Sequence, residues 1–287
     1  MRSPSPLAPG TPRHPTRGEQ RPASRPVVFT DLDGTLLDHV TYDHSAAAPA
    51  LEALRTLGCP LILASSKTAA EIGPLHRELA LGDWPAIVEN GAGELAPDSS
   101  DRPDDGTYRR LRDTLAQLPR SLSRGFRGFG DMTDAEVAAA TGLSLDRARL
   151  ARQRCHSEPG LWTGVDGDLA AFLEAIEARG LSARRGGRFL TLSFGHGKAE
   201  RMRCIAERLG ADLTIALGDA PNDIDMLEAA DHGVLVRNDH APPLPRLRGE
   251  DEGRIRRTRL SGPAGWNAAV LQLLRDLDLN VDRTGHG

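Results

Sequence analysis

The feature that most constrains this chain is the run Val27-Val28-Phe29-Thr30, which meets Asp31-Leu32-Asp33-Gly34-Thr35 with no spacer. An apolar, β-branched stretch without polar alternation reads as a strand covered on both faces, as in parallel sheets. Ligands of such sheets bind just beyond the carboxyl ends of the strands, where Asp31 and Asp33 stand. Gly34 lets the backbone leave the sheet steeply without a Cβ clash. A bare Asp-x-Asp is ordinarily a solvated turn. Two carboxylates this close, however, repel and shift each other's pKa unless a cation lies between them.

The flanking pattern repeats strand and helix. Leu51, Leu54 and Leu57 predict a helix ended by Gly58, and residues 60–64 predict a second strand, followed by Ser65-Ser66-Lys67-Thr68. Ile72, Leu75 and Leu79 predict the next helix, and residues 86–88 a third strand ending in Glu89-Asn90-Gly91. Much later come a helix carrying Met202, Ile205, Ala206 and Leu209, then a strand over 213–217. That strand ends in Gly218-Asp219-Ala220-Pro221-Asn222-Asp223, with Pro221 suited to a first helical turn. Residues 232–236 read as a further strand, 238–260 as a polar loop, and the last helix packs Trp266, Val270, Leu273, Leu274 and Leu277 on one face. This alternation predicts an α/β protein built on a doubly wound parallel sheet.

Residues 97–192 break the alternation with short helices, loops and a strand pair, 181–184 and 188–194, joined through Gly186-Gly187. They read as an inserted α/β cap, leaving 26–96 and 193–287 as the core. Residues 1–25, rich in Pro, Arg and Ser, read as a disordered tail that lacks the apolar segment of a secretory signal.

Composition excludes several partners. With 36 basic and 40 acidic residues, net charge −4, no long-range field draws the protein to nucleic acid or an anionic membrane. No apolar run is long enough to span a bilayer. Cys59, Cys155 and Cys204 are odd in number and scattered, which reads as buried thiols in a reducing, cytoplasmic setting. Only two of the basic residues are lysines, Lys67 and Lys198, and both follow predicted strands. Against so much arginine, each marks a place where a compact ammonium serves and a planar fork does not.

Taken together, Asp31/Asp33, Ser65/Lys67, Lys198 and Asp219/Asn222/Asp223 arrive in one order at one edge of one sheet. This set resembles the phosphatases of the haloacid dehalogenase superfamily. The resemblance implies that Asp31 is a nucleophile forming an aspartyl-phosphate and that Asp33 is the general acid and base. It implies Mg²⁺ as cofactor, held by oxygens of Asp31 and Asp219 and the Asp33 backbone carbonyl, with Asp223 in the metal set. Lys198 and the Ser65 hydroxyl would stabilise transition-state charge, and Asn222 and Asp223 would orient water and Lys198. The chemistry needs such help, since uncatalysed phosphate monoester hydrolysis leaves up to ~10²¹-fold to be gained.

Further segments are similar to the mannosyl-3-phosphoglycerate phosphatases: Ser65-Ser66-Lys67-Thr68, Glu89-Asn90-Gly91, Arg154-x-x-Ser157-Glu158-Pro159, Gly186-Gly187-Arg188-Phe189, Gly197-Lys198-Ala199 and Gly262-Pro263-x-Gly265-Trp266-Asn267. The resemblance implies a small phosphorylated sugar-glycerate as substrate and a glycosylglycerate, a compatible solute, as product. Lys67, Asn90, Arg154, Ser157, Glu158 and Arg188 are then the substrate-binding candidates. Arg154 and Arg188 suit the carboxylate, and Glu158 and Asn90 the sugar hydroxyls. Two positions depart from that family's pattern: Leu190 stands where a histidine is expected, and His196 where an acidic residue usually precedes Gly-Lys. Glucosyl-3-phosphoglycerate and other sugar phosphates, such as sucrose or trehalose phosphate, remain alternatives. A signalling receiver also combines a phospho-accepting Asp, a hydroxyl, a Lys and Mg²⁺, but Asp33 and the long insertion count against it.

Overall fold

In the computed structural model, which describes residues 25–97 and 104–279, the chain begins with β1 (Pro26–Thr30), α1 (Ala48–Thr56), β2 (Leu61–Leu63), α2 (Ala69–Glu78), β3 (Ala86–Val88) and β4 (Gly93–Leu95). The cap follows, with α3 (Gly106–Ala116), α4 (Arg120–Ser123), β5 (Phe126–Gly128), α5 (Asp134–Thr141) and α6 (Leu145–Ala151). It is completed by β6 (Ser157–Trp162), α7 (Asp166–Glu177), β7 (Ser182–Gly186) and β8 (Phe189–Ser193). The chain then returns through α8 (Lys198–Arg208), β9 (Leu213–Gly218), α9 (Ile224–Ala229), β10 (His232–Arg237), α10 (Arg248–Asp251), β11 (Ile255–Ser261) and α11 (Gly262–Asp276). The predicted tail lies outside the described residues, apart from Arg25.

Five parallel strands form the central sheet in the order β11-β10-β9-β1-β2. Every residue of β1 is buried. Its alternate side chains enter different cores: Val28 joins Leu63, Ile215 and Trp266 on one face, while Val27 and Phe29 join Ile62, Met202 and Ile205 on the other. This two-sided burial is what an unbroken apolar run supplies, at roughly 1.5–3 kcal/mol for each large side chain. β3 meets this sheet through a bridge from Ala64 to Ile87, and then turns back to pair antiparallel with β4.

The cap is built on an antiparallel sheet in the order β5-β6-β8-β7. Leu111, Phe172, Ile176, Leu190 and Leu192 cluster on one of its faces, and Phe129, Val137 and Ala148 with Leu161 and Phe189 on the other. Gly187-Arg188 turns the predicted hairpin, with Gly187 at φ +56° and Gly186 paired to Phe189.

Two expectations are corrected. Cys59 and Cys155 are buried thiols, but Cys204 is exposed on the outer side of α8. The polar stretch 238–260 is not simply a loop, because it contains α10 and most of β11. β11 is an edge strand in which Ile255 alone is buried and Arg256, Arg257 and Arg259 face solvent. Charge on an edge strand discourages pairing with other chains, and it also hides the strand from a search for apolar runs.

Candidate active site

Parallel pairing aligns the ends of β1 and β9, since Asp31 N–H donates to the Leu217 carbonyl at 2.9 Å. The following loop folds tightly: Leu37 N–H donates to Leu32 O at 2.8 Å, and Gly34 N–H to Leu37 O at 2.9 Å. Gly34 sits at φ +81°, and a Cβ there would overlap Asn238 and Asp219. Glycine is thus required twice over, for the left-handed conformation and for the close approach.

Asp31, Asp219 and Asp223 present carboxylate oxygens that all lie within 4.8 Å of one another, and all three residues are buried. Lys198 Nζ lies among them, donating to Asp31 Oδ1 at 2.6 Å and to Asp223 Oδ1 at 2.7 Å. Asp223 Oδ2 accepts from the backbone N–H groups of Asp219 and Ala220. Asp219 is clamped on both oxygens, by the Thr35 hydroxyl and by Asn238 Nδ2, each at 2.7 Å. Burial, reinforced by the Asp223 charge, raises the Asp31 pKa well above its ordinary value. Burial likewise raises that of Asp219, against the hydrogen bonds from Asn238 and Thr35. Burial disfavours the Lys198 ammonium, but the Asp223 and Asp31 carboxylates outweigh it and hold its pKa above the usual lysine value.

Three carboxylates around one ammonium leave an excess of negative charge in a buried site. An oxygen-only donor set of this kind suits a hard divalent cation. Asp33 adds a further acceptor: its Oδ2 pairs with Lys67 Nζ, while its buried Oδ1 has no hydrogen-bond partner. The Lys67 ammonium is disfavoured by burial, yet Asp33 pulls its pKa up.

Ser65 stands at the end of β2, its hydroxyl accepting from Lys67 N–H at 3.3 Å. It is not the cap of α2, because Thr68 fills that position in a reciprocal capping box with Glu71. Asn90 receives a hydrogen bond from Asn222 Nδ2 at 3.0 Å, which links the β3 turn to the segment carrying Asp223.

Four further candidates belong to the cap. Arg154 is 7% exposed, pairs with Glu89 and donates to Ser66 O and the Ser157 hydroxyl. Ser157 donates twice to Glu89. Glu158 is fully buried on the opposite face of the cap sheet, bonded to Tyr108 and to Gly130 N–H. Arg188 is exposed in the hairpin turn, against the Phe189 ring at 5.6 Å. Arg154, Ser157 and Glu158 are thus engaged by protein partners, and Arg188 is exposed in the hairpin turn.

The sequence reading missed four supports of the site: Thr35, Glu89, Asn238 and Trp266. The indole Nε1–H of Trp266 donates to the Thr30 hydroxyl at 2.9 Å, and that hydroxyl donates to Asp31 O at 2.8 Å. Trp266 reads as core packing, yet it also fixes the backbone that carries Asp31. Thr35 follows Gly34 directly, and its position beside the acidic pair was a usable signal. Asn238 and Glu89 act across distances that the sequence does not show.

Residues 28–98 and 188–242 match the haloacid dehalogenase-like hydrolase family. A glucosyl-3-phosphoglycerate/mannosyl-3-phosphoglycerate phosphatase of Methanococcoides burtonii is 33% identical, covering 86% of this chain and 97% of its own. The chain belongs to the haloacid dehalogenase-like hydrolases. Within that family it is a phosphoric monoester hydrolase. A second relative of the same description, from Persephonella marina, is 32% identical over 88% of this chain and 98% of its own. The fold is shared with the sucrose-phosphatase of Synechocystis, at a TM-score of 0.57 and 16% identity, over 89% of this chain and 98% of that one. A haloacid dehalogenase-like hydrolase from Bacteroides thetaiotaomicron shares it too, at a TM-score of 0.57 and 18% identity, over 86% and 98%.

Proposed function

We propose that this phosphatase hydrolyses mannosyl-3-phosphoglycerate to mannosylglycerate and phosphate, with glucosyl-3-phosphoglycerate as the alternative substrate. The observation that carries the reading is Asp31 held by Lys198 and Asp223 beside Asp219, in a chain whose relatives of that description match it nearly end to end.

In this scheme an Asp31 carboxylate oxygen attacks phosphorus, and the bond to the glyceryl oxygen breaks. Asp33 gives its proton to that departing oxygen, and then takes a proton from water as the water oxygen attacks the aspartyl-phosphate. The second attack breaks the bond from Asp31 to phosphorus and restores both carboxyl groups. Lys198 offsets charge on the phosphoryl oxygens, the Ser65 hydroxyl donates to them, and Lys67 holds the Asp33 side chain in place. Asn222, bonded to Asn90, steadies the turn that delivers Asp223. Asp31, Asp219, the Asp33 backbone carbonyl and Asp223 would hold Mg²⁺, which would supply the positive charge that lets two anions meet. The three buried carboxylates gathered around the single Lys198 ammonium support this assignment.

The product is a small anionic sugar derivative of the compatible-solute class, made in the cytoplasm. The cytoplasmic placement is supported by three free cysteines, and no helix among the described residues is long and apolar enough to cross a membrane. The test is phosphate release from mannosyl- and glucosyl-3-phosphoglycerate and from sucrose phosphate, with and without a chelator. One of the first two should exceed sucrose phosphate by roughly 100-fold in kcat/KM, and the chelator should abolish turnover. Comparable rates on all three would defeat the assignment.

A further inference from the structure

The cap sheet has one face turned toward the core, and its register identifies that face. Ser157, Ser193 and Ser182 stand opposite one another across β6, β8 and β7, and Pro159, Thr191 and Arg184 form the next row. Residues directly opposite, and residues two apart along a strand, share a face. Ser157 is bonded to Glu89 of the core. Arg184 is therefore on the core-facing side, while its neighbour Arg185 faces away.

The Arg184 side chain lies against the residue before Lys198. A Cβ placed on Gly197 would come within 2.9 Å of the Arg184 Cζ, so the bare glycine makes room for the guanidinium. Lys198 Nζ in turn holds Asp31. Arg184 thus stands on the loop that delivers the phosphoryl-binding lysine.

Arg184 is exposed, and among the described residues its guanidinium has no ion pair, hydrogen bond or ring contact. Several other cations of the cap are already engaged. Arg154 is committed to Glu89 and Arg127 to Glu136, while Arg110 and Arg147 stack on Phe194 and Tyr42. Nearer the reaction site, Lys198 is shared by two carboxylates and Lys67 belongs to Asp33. A phosphorylated substrate that also bears a carboxylate brings one more negative charge than those pairs offset.

We propose that Arg184 binds the carboxylate of the substrate while the phosphoryl group lies at Asp31 and Lys198. The inference rests on the phosphatase assignment above and deepens it. It replaces Arg154 and Arg188, the two arginines that the sequence suggested for this role. A guanidinium fork matches a carboxylate in two parallel hydrogen bonds, so the residue selects esters of hydroxy acids over esters of neutral alcohols.

Two small ligands that differ at the carboxylate isolate the effect: 3-phosphoglycerate and glycerol 3-phosphate. Their affinities are measured by calorimetry in Mg²⁺ in the Asp31→Asn background, so that neither is consumed. With Arg184 present, 3-phosphoglycerate should bind about 10- to 100-fold more tightly than glycerol 3-phosphate. Adding Arg184→Gln should bring the ratio to within about threefold of unity, and Arg184→Lys should leave it in between. A ratio near one with Arg184 present, a ratio unchanged by Arg184→Gln, or equal weakening of both ligands would overturn the proposal. Hydrolysis of the glycosyl esters is read separately on the unsubstituted enzyme. Its failure beside an Arg184-dependent ratio would reject the glycosylated substrate and keep the carboxylate contact. The reverse pair of results would do the opposite.

Discussion

Ser157 gives both its backbone N–H and its hydroxyl to a single oxygen of Glu89, Oε2, each at 2.7 Å. The same carboxylate accepts from the backbone N–H groups of Cys155 and His156 and lies 3.3 Å from Arg154 Nε. Glu89 belongs to the core and every one of these partners to the cap. One buried carboxylate therefore joins the two parts of the molecule. Its backbone sits in the left-handed region at φ +53°, an uncommon conformation for a glutamate, held by the bonds around it.

Glu89→Gln removes the charge but keeps the shape, leaving the buried Arg154 guanidinium without its counter-ion. Breaking a buried pair on one side is costly, and the expected loss of unfolding free energy is about 3 kcal/mol. Arg149→Gln, at an exposed pair with Asp134, should change stability by less than about 0.5 kcal/mol. Urea unfolding of both variants checks the contrast, which vanishes if the junction carries no energy.

Asp31→Asn should eliminate phosphate release while the chain stays folded. Burial raises the Asp31 pKa, so a neutral isostere costs the fold little. Thermal unfolding in a chelator, run beside a phosphate-release assay, tests both halves. Residual turnover above about 0.1% of the parent rate would remove Asp31 from the nucleophile's role.

Lys198→Arg keeps the charge and should still lower kcat by about 10²- to 10³-fold. The ammonium is 2% exposed and fits between Asp31 and Asp223, where a planar fork is too large. Steady-state kinetics at saturating metal gives the answer, and near-parental kcat would mean that a point charge is not required.

His156 packs its ring against Gly93, at the junction of cap and core. Burial lowers its pKa below the ordinary 6.5, so the folded protein resists protonating it more than the unfolded chain does. The stability it contributes is complete above about pH 6.5 and is lost as the pH falls from there toward the folded-state value. Denaturant unfolding from pH 8 to 5 should show this decline, and His156→Gln should flatten it. An equal slope in both proteins would assign the acid sensitivity to other groups.

The parts of the site that the sequence revealed are those written next to strands. An apolar run ending in polar groups is a local signal, and Asp31, Ser65 and Asp219 each carry it. Thr68 was also legible, because a capping box is spelled out within four residues. Glu158 and Arg184 were not. Which face of the cap sheet each occupies depends on register, and a shift of one residue exchanges the faces. β6 was hidden as well, since Ser157-Glu158-Pro159-Gly160 lacks the β-branched residues that announce a strand and carries a proline in a central position. Glu89 reads as part of a turn after β3, and nothing near it in sequence reveals partners some sixty-five residues away.

Gly91 has a consequence for how such a protein can be re-engineered. A Cβ there would run into the carbonyl carbon of Gly197 and the nitrogen of Lys198, so main chain meets main chain where the severed halves of the core are sewn together. The seam is main chain on both sides, and the intervening segment reaches it through the Arg184 guanidinium beside Gly197. A chimera could exchange one covering module for another and keep its reactive lysine in place, provided both bare positions were left untouched.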